Sequence, residues 1–206
     1  IEIPLDIQAE DITINTYKNI QSKQNSLIKF HNKEDISLIK KQIKSSERPV
    51  ILIGGGVNRE TSLMIKDKIE ETNLPIMTTY NGADRVNNTS KNYFGRPNTW
   101  GMRYSNILIQ QADFILAIGT RLGLQQTGFN WQEFASNAYI IHVDIDLEEL
   151  NKGHPKTAKF LNVDANKLIK ELLNLKEFSL LPHQEEWFTF CLKVKSLLPL
   201  DEACNK

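Results

Sequence analysis

Pro49-Val50-Ile51-Leu52-Ile53-Gly54-Gly55-Gly56-Val57 is an unbroken apolar run that ends in three glycines just ahead of a helical pattern. A segment apolar on both faces suits a strand of a parallel sheet covered by helices on each side. The glycines then stand at the strand's carboxyl end, where open α/β sheets bind nucleotides. Without a Cβ they let a phosphate approach the backbone, and the next helix offers unpaired N–H groups and the positive end of its dipole. The fingerprint G-x-G-x-x-G is incomplete, because Arg59 stands where the third glycine belongs. Two readings of this junction stand: a phosphate site, or a tight strand-to-helix turn with no ligand.

Outward from that junction, helices and strands alternate. Toward the amino end, Asp35 can cap a helix in which Ile36, Ile39 and Ile43 share a face, ending near Glu47-Arg48-Pro49. Toward the carboxyl end, Leu63, Met64, Ile65 and Ile69 carry a helix, and Ile76 to Tyr80 reads as the next strand. The stretch Asn81 to Arg103, with Gly82, Gly95, Pro97 and Gly101, is a loop long enough to suggest a function. A helix around Ile107 and Leu108 precedes a second wholly apolar strand, Asp113 to Gly119. A helix-like Trp131 to Phe134, a third strand from Tyr139 to Asp146, a short strand Phe160 to Val163 and an amphipathic helix Ala165 to Leu173 complete the pattern. The expectation is a doubly wound parallel α/β sheet whose ligand edge carries Gly54, Gly119 and Asp144.

The flanks differ in character. Ile1 to Ile7 alternates like a strand interrupted by Pro4, so the chain reads as opening inside a structural element, like an excised piece. Gln8 to Asn32 is polar and rich in Asn, Gln and Lys, as a linker would be.

Composition narrows the class. The chain has 206 residues, 40% hydrophobic and 24% charged, enough for one substantial α/β core. Its 25 basic and 25 acidic residues leave no net field to gather a polyanion, so nucleic acid is not expected as a partner. Apolar runs are of strand length and no leader pattern opens the sequence, so a membrane partner is not expected and a cytoplasmic location is. Cys191 and Cys204 read as free thiols rather than a zinc site or disulfide frame.

Few residues suggest chemistry. Asp144 and Asp146 close a buried strand, where a carboxylate can accept from ribose hydroxyls; Asp146 can equally cap the helix begun by Leu147-Glu148-Glu149. Arg121, two residues past Gly119, can pair with a diphosphate or stand solvated. His142 reads as a satisfied core histidine, and His31, His154 and His183 form no ligand spacing with it. No G-x-S-x-G, H-E-x-x-H or P-loop lysine occurs, so no catalytic and no metal-binding residue is expected in this chain.

Three segments, Arg48 to Gly56, Ala112 to Arg121 and Ile140 to Asp146, resemble in order and spacing the central domain of thiamine diphosphate enzymes of the acetolactate synthase large-subunit type. The resemblance extends over essentially the entire chain. It implies three parts: residues 1–32 as the end of a preceding pyrimidine-binding domain and a linker, 33–175 as a central nucleotide-binding-like domain, and 176–206 as a linker and helix leading to a diphosphate-binding domain. It further implies a six-stranded parallel sheet of the deoxyhypusine-synthase-like NAD/FAD-binding type. Thiamine diphosphate and magnesium are held by the other domains. The activating glutamate and the G-D-G…N metal motif of those domains do not occur here, so the chain alone is expected to be inactive. The complete enzyme is expected to act on 2-oxo acids as a homo-oligomer.

In this family the central domain holds FAD in acetolactate synthases, ADP in an oxalyl-CoA decarboxylase and nothing in several decarboxylases. By matched position the resemblance implies a cofactor site of Gly54, Gly55, Gly56, Gly119, Thr120, Arg121, Asp144, Asp146 and Asp164. Departures fall on the flavin side. Pro97-Asn98-Thr99-Trp100-Gly101 stands where the synthases have L-G-M-H-G, and Gly119-Thr120-Arg121-Leu122-Gly123-Leu124-Gln125 stands for G-A-R-F-D-D-R. Val163 replaces the glycine before Asp164. An adenine nucleotide or an empty pocket gains over FAD accordingly. The alternatives are a stand-alone NAD enzyme of sirtuin-like type, for which two cysteines cannot build the usual four-cysteine zinc module, and an electron-transfer flavoprotein-like FAD carrier.

Overall fold

A computed structural model describes residues 5–8, 11, 33–175 and 178–198. Its centre is a sheet of five parallel strands: β1 (Pro49–Ile53), β2 (Ile76–Thr78), β3 (Phe114–Ile118), β4 (Tyr139–Asp144) and β5 (Lys159–Asn162), in the order β2-β1-β3-β4-β5. Every pairing between neighbouring strands is parallel, with Ile53 beside Ile118 and Ile118 beside Val143 at the carboxyl edge. Gly54, Gly119 and Asp144 therefore emerge at the same edge, as the sequence pattern requires.

The expected sixth strand is reduced to a single bridge. Tyr93 pairs with Ile76 in parallel sense beyond β2. The contact is held by Ile76 N–H on the Asn92 carbonyl (2.8 Å), Phe94 N–H on the Ile76 carbonyl (2.8 Å) and Thr78 N–H on the Gly95 carbonyl (3.0 Å). Its extension fails because Gly95 takes a positive φ of 77° and turns the chain away. With this bridge counted, the order becomes that of a dinucleotide-binding sheet, reversing between β1 and β3.

Eight α-helical segments are described. Leu5–Gln8 (α1) is a single turn, so the strand expected there is not found at those residues. A helix can start directly after a proline, whose fixed φ suits the first turn. Of the linker expected over Gln8 to Asn32, all but residues 8 and 11 lie outside the described residues. α2 (Lys33–Ser45), α3 (Arg59–Thr72) and α7 (Ala165–Leu173) cover one face of the sheet. α4 (Arg103–Gln111) and α8 (Glu185–Leu197) cover the other. The short α5 (Leu124–Thr127) and α6 (Leu147–Asn151) follow β3 and β4 at the carboxyl edge.

The strand period of two divides the core. Ile51 and Ile53 join Leu116, Ile118, Ile141 and Val143 against Ile39, Ile43, Ile65 and Leu168. Val50 and Leu52 join Ile115 and Ala117 against Leu108, Ile109, Trp187 and Cys191. All five residues of β1 and of β3 are buried, which accounts for their uninterrupted apolar sequence.

α8 belongs to this core. Trp187 is 5% exposed and its Nε1–H donates to the Pro49 carbonyl at 3.1 Å. Lys195 donates to the Tyr93 carbonyl at 2.6 Å and lies 5.5 Å from the Phe94 ring centroid, pinning the bridge segment beyond β2. Gln184 Nε2, just before the helix, donates to the carbonyls of Ile43 and Ser46 at 2.7 and 2.8 Å.

Removing the indole leaves a cavity and an unpaired carbonyl. Trp187→Ala is expected to cost about 3–5 kcal/mol of folding stability, read from urea unfolding; a loss under about 1 kcal/mol would show that α8 is not part of the folding unit.

Candidate functional site

The turns after β1 and β3 touch backbone to backbone. Gly54 N–H donates to the Ile118 carbonyl (2.9 Å) and Gly56 N–H to the Gly119 carbonyl (2.8 Å). A Cβ on Gly54 would lie 2.1 Å from the Gly119 oxygen, and one on Gly56 would lie 2.8 Å from the Gly119 Cα. Gly119 itself takes φ 62°. Those three glycines are thus required by the protein's own packing, and the Gly56 amide is already spent.

Gly55 differs. It lines the open cleft, its N–H has no described partner, and an added Cβ would press on the Asn81 carbonyl at 3.1 Å. Arg59, at the place of the third glycine, is tolerated because the first turn of α3 points outward; its Nε donates to Asp84 at 2.6 Å, which holds the Asp84 carboxyl below its usual pKa.

The cleft at this switch point has a volume of about 760 Å³, within the range of small-molecule sites. Gly55, Gly56, Gly119, Thr120, Arg121, Asp144 and Asp146 line it. Gly54 lies beneath, buried. Asp164 lines an adjoining pocket of about 90 Å³ with Gly56, Gly119 and Asp144. The structure therefore gathers all nine sequence-designated residues at one sheet edge.

Their polar groups are committed unequally. Thr120 Oγ1 accepts from Leu122 N–H at 3.2 Å, supporting the buried Leu122 at φ 46°. Thr120 and Arg121 N–H groups have no partner among the described residues. Arg121 is largely exposed, with Nε 3.6 Å from Glu149 Oε1, a separation that water screens. The carboxylates serve local structure: Asp144 Oδ1 accepts from Asp146 N–H at 2.9 Å. Asp146 caps α6 through Glu148 N–H at 3.0 Å, and Asp164 caps α7 through Asn166 N–H at 2.7 Å. The capping reading of Asp146 is the one the geometry realises.

Several residues that hold the cleft were not legible in the sequence. Asn166 Oδ1 accepts from Asn58 N–H (2.8 Å) while its Nδ2 donates to the Gly56 carbonyl (3.1 Å), clamping the glycine turn from α7. Lys152 donates to the carbonyls of Arg121 and Leu122 and lies 3.1 Å from Glu149 Oε2, bracing the turn after β3. On the other wall, Thr99 N–H and Oγ1–H both donate to the Gln125 carbonyl, at 2.9 and 3.0 Å, and Gln126 donates to the Pro97 carbonyl. The Pro97 to Gly101 loop is thereby sewn to α5. Asn98 in this loop is 6% exposed and keeps a buried Nδ2 without a partner.

His142 lies 2% exposed under the turn, with Nε2–H donating to the Thr120 carbonyl at 2.5 Å. Burial, the main cause, pushes its pKa below the ordinary value, so it is neutral here and structural, as expected of a core histidine. Burial pushes the Cys191 thiol well up, which leaves it inert; Cys204 lies outside the described residues. Among the described residues no three His, Cys, Asp or Glu side chains group as a metal site, and no helix is long and apolar enough to cross a membrane.

Residues 36–172 match the family described as thiamine pyrophosphate enzyme, central domain. The chain is also similar to acetolactate synthase large subunits. It is 32% identical to that of Pyropia yezoensis over 152 residues, covering 73% of this chain and 25% of the relative. It is 29% identical to that of Porphyra purpurea over 189 residues, covering 90% and 32%. With isozyme 1 of Escherichia coli K12 it shares 27% over 208 residues, covering 100% and 35%. The chain spans about a quarter to a third of the length of these relatives.

The His142 pKa carries a stability consequence. A histidine whose folded pKa is lowered adds stability that is complete above its unfolded value of about 6.5 and is lost as pH falls below it. The melting temperature is expected to fall between pH 7.5 and 5.5, and to fall less in His142→Gln; equal slopes in the two proteins would contradict the assignment of a buried neutral imidazole.

Proposed function

The chain belongs to the thiamine pyrophosphate enzyme family as its central domain, and from that premise we propose that it is the middle domain of an acetolactate synthase-like carboligase or decarboxylase acting on 2-oxo acids. The observation that carries this reading is the switch-point cleft: it offers free backbone donors and one guanidinium, while its two carboxylates, Asp144 and Asp146, accept from backbone N–H groups of their own turn and helix start. Such a site holds a ligand and leaves the reaction to other parts of the protein. Residues 33–175 form the central domain in this reading, with 1–32 ending a preceding pyrimidine-binding domain and 176–206 leading to a diphosphate-binding domain. Thiamine diphosphate with magnesium supplies the carbanion chemistry of the complete enzyme, a cytoplasmic homo-oligomer. The sheet is assigned to the deoxyhypusine-synthase-like NAD/FAD-binding type.

The cleft fits the diphosphate of an adenine nucleotide better than it fits a flavin. Gly55, Thr120 and Arg121 supply unspent N–H donors, and the Arg121 side chain needs only to leave an exposed, 3.6 Å pairing to reach an anion. Gly54, Gly56 and Gly119 shape the turn and let the ligand come close. Asp146 and Asp164 stay as caps and Asp144 keeps its bond from Asp146 N–H, with Asp144 and Asp146 at the ribose side. The loop that would meet the flavin is closed onto α5 by Thr99 and Gln126. ADP, or the ADP half of FAD, is the ligand that these residues favour. A sirtuin-like or flavoprotein-like carrier fits less well: among the described histidines none lines the cleft, where the first needs its catalytic imidazole.

Two outcomes are expected. The 206-residue chain forms no acetolactate from pyruvate with thiamine diphosphate and magnesium; product above a no-protein control would disprove the domain assignment. In calorimetric titrations ADP binds at least as tightly as FAD, and Arg121→Ala weakens ADP by about tenfold, one charged hydrogen bond. FAD binding far more tightly than ADP, or an unaffected Arg121→Ala, would show that the diphosphate is held elsewhere.

A further inference from the structure

The amide of Asn98 is held so that one of its two polar ends has nothing to bond. Its backbone N–H donates to Asn106 Oδ1 at 2.9 Å, and its carbonyl accepts from Asn106 Nδ2 at 3.0 Å and Gly101 N–H at 2.9 Å. Its Oδ1 accepts from Trp100 N–H at 2.8 Å. That last bond decides which way the amide faces, since a flipped amide would set its NH₂ against another donor. Nδ2 is left with two hydrogens at a fixed position, buried and without a partner among the described residues. Native proteins rarely leave a buried donor in this state without a use for it.

Its place gives the use. Asn98 lines the same cleft as Gly55, Thr120 and Arg121. The bonds of Thr99 to Gln125 and of Gln126 to Pro97 fasten the backbone on both sides of Asn98, and the Trp100 N–H bond to Oδ1 holds its amide. The other unpaired buried atom, Asn92 Oδ1, belongs to a side chain that faces α3 through the Ile69 and Glu70 carbonyls, and it lines no cavity described here.

The geometry points to Asn98 as a ligand-contacting residue: its Nδ2 donates to an acceptor oxygen of the nucleoside diphosphate ligand, which is then held from the loop wall as well as from the glycine turn. This rests on the nucleotide reading of the cleft. A neutral donor adds no charge, so its part is selection: it accepts a ligand that presents an oxygen there and penalises one that presents a donor or a methyl group.

The test uses ¹⁵N-labelled chain and two ligands, ADP and FAD. The Asn98 side-chain NH₂ pair, assigned by its absence in Asn98→Asp, is expected to shift on titration in step with the Gly55 amide. A shift with ADP places the oxygen in the nucleotide half, and a shift with FAD alone would overturn the assignment of the acceptor to the nucleoside diphosphate. Asn98→Asp keeps the acceptor for Trp100 N–H and loses the donor, and Asn98→Ala loses the donor without adding charge. Both should weaken the ligand that moved the signal, the alanine variant by about five- to tenfold. An Asn98 pair that stays still while the Gly55 amide shifts, or an alanine variant that melts earlier yet binds equally well, would overturn the assignment and leave the nucleotide site intact. No shift at Gly55 with either ligand would remove the nucleotide reading and this inference together.

Discussion

The close approach of Gly56 and Gly119 is the constraint on which the ligand edge depends. β1 and β3 are neighbours, yet the chain leaves them in different directions, and their two turns must pass within hydrogen-bonding distance. Only residues without a Cβ allow this, as the 2.1 Å and 2.8 Å clashes at Gly54 and Gly56 show. Once the turns are locked, the crevice between them is fixed, and Gly55 and Thr120 are brought to its rim with their amides unspent. The same requirement explains why glycine density alone is an ambiguous sign of phosphate binding: most of these glycines answer to the protein's own packing.

Around that contact the structure is braced from both sides of the sheet. Asn166 reaches from α7 to the glycine turn, and Lys152 reaches from the end of α6 to the turn after β3. His142 supports the Thr120 carbonyl from below as a neutral imidazole. Each of these groups is engaged in a hydrogen bond to the backbone of a turn. In the proposed reading, this bracing suits a domain that positions a ligand within a larger enzyme.

The legible parts of the fold were those written in apolar periodicity. β1 and β3 are continuous buried runs, β4 is buried over its four central residues, and α7 has the apolar spacing of a helix packed on one side, so their existence and order followed from the sequence. The single bridge at Tyr93 did not, because a run of one paired residue has no period and its arrest depends on the φ of Gly95. α8 read as a connecting helix; that Trp187 reaches Pro49 is set by a contact across 138 residues, which no local pattern carries. The cleft glycines and Arg121 were visible through strand ends. Asn98 and Asn166 were not, since an asparagine in a polar loop or at a helix start looks like a turn or cap residue whether or not its amide spans the site.

In the proposed reading, the crevice between β1 and β3 holds a nucleotide diphosphate and the reaction takes place elsewhere in the complete enzyme. A crystal structure of the chain grown with millimolar ADP tests it most directly. Diphosphate density is expected against the amides of Gly55 and Thr120, with Arg121 turned from Glu149 toward it. ADP ordered instead in the cavity at the opposite, amino-terminal edge of the sheet, among Arg48, His183 and Phe190, would contradict it.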